Sequence, residues 1–160
     1  MSITAFYRPR TWQAALLLGL FAVAACGPQM PPPAAPSPMP AGVARVWFYR
    51  DFFPEDSGDI PLISMNGNPI GYAGQGISYY RNLPPGDYHV TVDSVGVDLY
   101  QSQDVTLAAG QDHYIKIMSL PSWASGSGMP PYRRGTYYVA VVPQQRAAAE
   151  MLHTTYFGGN

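Results

Sequence analysis

Strict alternation of apolar and polar residues is clearest over residues 87–93, where Tyr88, Val90 and Val92 fall on one face and Asp87, His89, Thr91 and Asp93 on the other. A period of two is that of a half-buried strand, so the first set is assigned to the core. The same alternation runs through 101–107 and 113–118, with Ile115 and Ile117 as core residues of the latter. Residues 44–50 (ARVWFYR) and 137–142 are apolar on both faces, the pattern of strands covered from both sides. Residues 62–65 and 68–73 flank Asn66-Gly67, a pair that suits both φ > 0 positions of a type I′ hairpin turn. Pro69 places the second strand of that hairpin at a sheet edge. An aromatic strand is predicted over 77–82, and Leu83-Pro84-Pro85-Gly86 and Ala108-Ala109-Gly110-Gln111 supply turns.

The period changes after Pro143. Residues 144–153 (QQRAAAEMLH) are rich in helix formers, and Pro143 fits the first helical position, where no backbone bond is lost. Three- and four-residue spacing puts Ala148, Met151 and Leu152 toward the sheet and pairs Arg146 with Glu150 on the wet side. Short strands at about 8- to 12-residue spacing with Gly/Pro turns predict an all-β fold: an antiparallel β-sandwich of about seven or eight strands with one short C-terminal helix, over residues 43–157.

The apolar run 14–25 follows Arg8 and Arg10 and is too short to cross a hydrocarbon core that needs about 20 residues. Residues 1–25 therefore read as a cleaved signal. Residues 27–42 (GPQMPPPAAPSPMPAG) are a Pro/Ala-rich tether, which in polyproline II geometry at about 3.1 Å per residue reaches roughly 50 Å. Losing Arg8 and Arg10 with the signal leaves seven Lys+Arg against ten Asp+Glu, shifting the formal charge from −1 to −3. That balance gives nucleic acid no attraction. Aromatic residues at 13% and charged residues at 12% supply ample core material and argue against disorder.

Cys26 is the single cysteine and directly follows Val23-Ala24-Ala25. This segment resembles the lipobox of bacterial lipoproteins, which implies diacylation of the Cys26 thiol and cleavage before it, making Cys26 a membrane anchor. The alternative is an ordinary secretory signal with Cys26 left as a free thiol. By analogy with enteric lipoproteins, in which an aspartate after the cysteine favours inner-membrane retention, Gly27 points to the outer membrane, facing the periplasm.

The run Ile63-Ser64-Met65-Asn66-Gly67-Asn68-Pro69-Ile70-Gly71, the Leu83-Pro84-Pro85-Gly86 turn with its following strand, and the Ala109-Gly110-Gln111 turn resemble a PEGA-like β-sandwich. The layout from lipobox to C-terminal helix is similar to a family of small bacterial lipoproteins of unknown function. The resemblance implies an anchored envelope domain with no assigned catalytic residues; the long Pro/Gly/Ser insertion before the last strand departs from it.

Candidate chemistry is sparse. Asp87 and His89 share a strand face and are a possible start of a metal site or acid/base pair, set against a plain solvated face. Asp51, Glu55, Asp56 and Asp59 form an acidic loop whose oxygens suit calcium but lack the D-x-D-x-D-G spacing, so a solvated loop competes. Gly71, Gly74 and Gly76 lack the following helix of a phosphate loop and read as a bulge or turn. There is no G-x-S-x-G motif, and no cofactor is implied. The loop 119–135 sets Trp123, Met129, Tyr132, Arg133 and Arg134 in Gly/Ser/Pro chain, residue types favoured at interfaces with a protein or glycan partner. The sequence thus describes a non-catalytic binding or assembly module of the cell envelope. Its rivals are a metal-dependent envelope enzyme using Asp87, His89 and the acidic loop, and a purely structural envelope protein.

Overall fold

All seven residues of β1 (Ala44–Arg50) are buried, as a strand apolar on both faces requires. The computed structural model containing it describes residues 35–54, 56, 58–96, 99–119 and 135–160. The signal, Cys26, residues 27–34 of the tether, Glu55, and the loop residues Trp123, Met129, Tyr132, Arg133 and Arg134 lie outside the described residues.

β1 is the central strand of a five-stranded sheet, between β7 (Asp112–Ser119) and β4 (Ile77–Leu83), with β8 (Tyr137–Val141) and β9 (Thr155–Gly159) at the edges. A four-stranded sheet, in the order β3 (Asn68–Tyr72), β2 (Leu62–Met65), β5 (Gly86–Val92), β6 (Ser102–Leu107), packs on its inner face. Val46, Phe48, Ile115, Ile117 and Val139 meet Ile63, Met65, Val90, Val92 and Leu107 in the core between the sheets. This is the all-β sandwich that the alternation predicts, and Val90, Val92, Ile115 and Ile117 take the core places assigned to them. Asn66 and Gly67 adopt φ of 49° and 77°, the left-handed pair of a I′ turn, and β3 with Pro69 lies at an edge.

Two pairings are parallel, β1 with β7 and β4 with β9, so the larger sheet is mixed. Alternation reports which face a residue takes, not which strand lies beside it. The sequence pattern does not predict β9: Thr-Tyr-Phe-Gly-Gly is short and rich in glycine, and it is ordered through pairing with β4. Asn82 N–H extends that pairing by donating to the Asn160 carbonyl.

Helix α1 (Gln144–Met151) links the two edge strands β8 and β9 and so must cross the outer face of the larger sheet. Four inter-strand gaps span about 19 Å and eight helical residues about 12 Å, so the flanking residues complete the crossing. Pro143 stands one place outside the helix, at φ −60° and ψ 142°, because its extended ψ continues the strand direction before the chain turns. The face that docks is Ala147 with Met151, against Tyr49, Tyr114 and Ala140; Ala148 and Leu152 lie beside it at the rim. Arg146 and Glu150 pair at 2.8 Å as the i,i+4 spacing predicts.

Candidate functional site

Because α1 is short, it covers only part of the outer face of the larger sheet. Beyond it, Trp47 of β1, Tyr80 of β4 and Tyr156 of β9 form an aromatic cluster, with ring centroids 5.1 Å apart for Trp47 and Tyr80, 5.8 Å for Trp47 and Tyr156, and 6.2 Å for Tyr80 and Tyr156. The register explains the meeting: Trp47 stands opposite Tyr80 across β1 and β4, and β9 runs along the far side of β4. Trp47 Nε1 donates to Asp112 at 2.9 Å, which fixes the indole.

Between this cluster and the helix lies a groove of about 460 Å³, with Trp47, Tyr114 and Tyr156 as its aromatic lining, Met151 and Leu152 on the helix side, and Pro36 also lining it. Its size is within the range of small-molecule clefts. Leu152, 82% exposed, stands at the rim. Ser37 and Tyr80 share a hydroxyl–hydroxyl bond of 2.6 Å, so part of the Pro-rich segment touches the sheet beside the groove. That bond, ahead of those from the Tyr156 hydroxyl and the charge of Arg45, holds the Tyr80 phenol below its ordinary range.

Arg45, two residues before Trp47 on the same face, is 6% exposed. Its guanidinium carbon sits 4.0 Å from the Tyr80 ring centroid, and its Nε donates to Asn82 Oδ1 at 3.1 Å. Its Nη2 is buried with no hydrogen-bond partner. Asp112 stands in register with Arg45 across β1 and β7, but its Oδ1 is held at Trp47 and no ion pair joins the two.

Under the helix, Lys116 lies 2.5 Å from Asp51 and 2.9 Å from Glu150, and Tyr49 donates to Glu150 at 2.7 Å. Burial pushes the Glu150 carboxyl up, but hydrogen bonds from Tyr49, Arg146 and Lys116 outweigh it and bring the pKa down to about 2. Burial, and then Glu150, push the Tyr49 phenol well above its usual value. Glu150 is therefore turned inward as well as paired with Arg146.

Two carboxylates of the acidic loop, those of Asp51 and Asp56, are taken by cations. Asp51 serves Lys116, Asp56 is 2.6 Å from Arg50 with both side chains buried, and the Asp59 carbonyl accepts from Arg50 Nη1 at 2.9 Å. Asp87 and His89 do share a face, and the register adds partners on β6 that their own spacing does not reveal. His89 Nδ1 lies 2.6 Å from Asp104, and Thr106 donates to Asp87 at 2.6 Å. The Asn66 side chain accepts from the His89 N–H at 2.7 Å and closes one side of this shallow, exposed cup. Among the described residues no group of three or more His, Cys, Asp or Glu is placed to hold a metal ion. His113 Nε2 accepts from the Ala108 N–H at 3.1 Å, and burial lowers its pKa, so it serves as a neutral acceptor at the turn. Gly71 is within β3, where a Cβ would stand 2.5 Å from the Tyr79 hydroxyl, and Gly76 takes a φ of +64° at the turn before β4.

Alternation and motif spacing do not single out the aromatic groove or Arg45. The available signal was an arginine inside a strand apolar on both faces, since such a strand leaves the charge nowhere exposed to go.

No family model and no curated protein matches the chain. Among solved structures, the N-terminal domain of AlgF from P. aeruginosa is similar at 23% identity and a TM-score of 0.34, covering 66% of this chain and 100% of that one.

Proposed function

We propose that this chain is a lipid-anchored lipoprotein of the bacterial cell envelope, sited in the outer membrane and facing the periplasm, that acts as a non-catalytic binding or assembly module of PEGA-like type. The observation that carries the binding role is the aromatic groove, a concave apolar surface on a rigid sheet face, the setting in which ligand sites most often occur. The anchor rests on Cys26 and the apolar run before it, and the same Pro-rich stretch of sequence includes Pro36, which lines the groove. Two or three acyl chains, at roughly 0.8 kcal/mol per buried CH₂, make attachment effectively permanent. The loop carrying Trp123, Tyr132, Arg133 and Arg134 is a second proposed contact surface, for an envelope protein or a glycan.

The anchor is tested by fractionation and acyl labelling: Cys26→Ser should abolish labelling and free the folded domain from membranes, and labelling of the mutant overturns it. The binding role is tested by a photo-crosslinker placed at Leu152, and separately at Trp123, in intact cells. A specific adduct from the groove is expected, and its absence from both positions overturns the binding reading. Stoichiometric zinc or calcium in the purified protein would instead favour the metal-dependent enzyme.

A further inference from the structure

A buried guanidinium nitrogen without a partner is costly, because it has given up water for nothing in return. Arg45 is in that position: Asn82 and the Tyr80 ring satisfy part of the group, while Nη2 is left over and the carboxylate in register, Asp112, is turned to Trp47. Around the same point stand the hydroxyls of Tyr80 and Ser37, 2.6 Å apart, and Tyr156, whose ring packs on that of Tyr80. One guanidinium with several hydroxyls is the donor set that holds an oxyanion. Tyr156 and Trp47, which pack against Tyr80, line the neighbouring groove together with Met151 and Leu152, so the groove lies one side chain away from the Arg45 cluster.

We infer that Arg45 and the adjoining groove form a binding site for an amphiphilic oxyanion, a carboxylate or phosphate monoester whose head group meets Arg45 Nη2 and whose apolar body lies along Trp47, Tyr156 and the helix. The inference rests on the reading of the groove as a binding surface and names the chemistry it selects. The segment bearing Pro36 and Ser37 is the strap over this site: its Ser37 hydroxyl must release Tyr80 or share it for the head group to enter.

The test is a titration of the ¹⁵N-labelled full-length chain with octanoate, octyl phosphate, octan-1-ol and acetate, following the Arg45 Nε–H resonance and the amides of Trp47, Ser78 and Tyr156. Octanoate or octyl phosphate should shift all of these saturably, with a Kd at least tenfold below those of octan-1-ol and acetate. The ranking of the first two tells a carboxylate from a phosphate ligand. Arg45→Gln should bring octanoate down to the affinity of octan-1-ol without altering octan-1-ol itself. Tyr156→Phe, which keeps the ring and the packing, should weaken the anionic probes alone by several-fold. Equal binding of octanoate and octan-1-ol overturns the oxyanion site while leaving an apolar groove, and octanoate binding unchanged in both variants overturns it as well. An absence of shifts with any probe likewise overturns this site, whereas the crosslinking from Leu152 tests the groove independently of ligand chemistry.

Discussion

The Lys116 ammonium lies 2.9 Å from the Glu150 carboxylate, a contact that ties helix α1 to the outer face of β7. Glu150 keeps its charge far into acid because Tyr49 and Arg146 donate to it as well. A carboxyl brought down from 4.5 to about 2 stabilises the fold fully above about pH 4.5, and that contribution disappears as pH falls toward 2. Allowing for its partial contact with water, we expect about 1 to 2 kcal/mol to be lost across that window. Urea unfolding at pH 6, 4 and 2.5 should show this slope, and Glu150→Gln should flatten it while lowering stability at pH 6.

Arg50 and Asp56 form the more deeply buried pair, with side chains 2% and 3% exposed. Removing one partner from such a pair typically costs about 3 to 5 kcal/mol, because the other charge remains in the interior. Asp56→Ala should therefore lower the unfolding midpoint sharply. The double variant Asp56→Ala/Arg50→Met should recover part of the loss, and a double variant no more stable than Asp56→Ala would show that Arg50 matters through its carbonyl contacts at Asp59 and Ala73 instead.

Tyr79 offers the opposite case. Its ring stacks on Phe48 at 5.4 Å, yet its hydroxyl is buried without a hydrogen-bond partner and burial drives its pKa up. Tyr79→Phe keeps the stack and removes the unsatisfied group, so stability should hold or rise by up to about 1 kcal/mol. A loss beyond 1 kcal/mol in thermal unfolding would contradict this account.

Gly159 stands opposite Tyr80 across β4 and β9, and a Cβ there would run into the Tyr80 ring. Gly159→Ala should push β9 away from β4 and loosen the aromatic cluster. The expected readout is a weakened near-ultraviolet circular dichroism signal with faster amide exchange in β9, while amides of β1 and β7 keep their protection. Overpacking of this kind costs about 1 to 3 kcal/mol where the neighbours cannot yield, and less at an edge strand that can peel.

The strands with clean alternation or flanking turn signals, β2, β3 and β5 through β7, were legible because burial of one face writes a period of two into the chain. The parallel partners of β1 and β4 were not, since nothing in a strand's own residues names its neighbour. The same physics divides the candidate site. Asp87 and His89 were legible as a pair because they lie two apart on one strand, but Asp104 and Thr106 enter only through cross-strand register. Arg45, Trp47, Tyr80 and Tyr156 come from three strands and meet through sheet order alone. Of these, only Arg45 left a trace in the sequence, as a charge in a strand with no wet side.

The Ser37–Tyr80 contact also bears on distance. With Ser37 held at the sheet, the sequence between the proposed lipid site at Cys26 and the first contact with the sandwich is the ten residues 27–36 rather than all of 27–42. Fully stretched, that length spans at most about 36 Å. Under the proposed anchoring the domain would be a short-leashed one, confined to a thin shell beside the bilayer, and letting go of Tyr80 is what would let it out further.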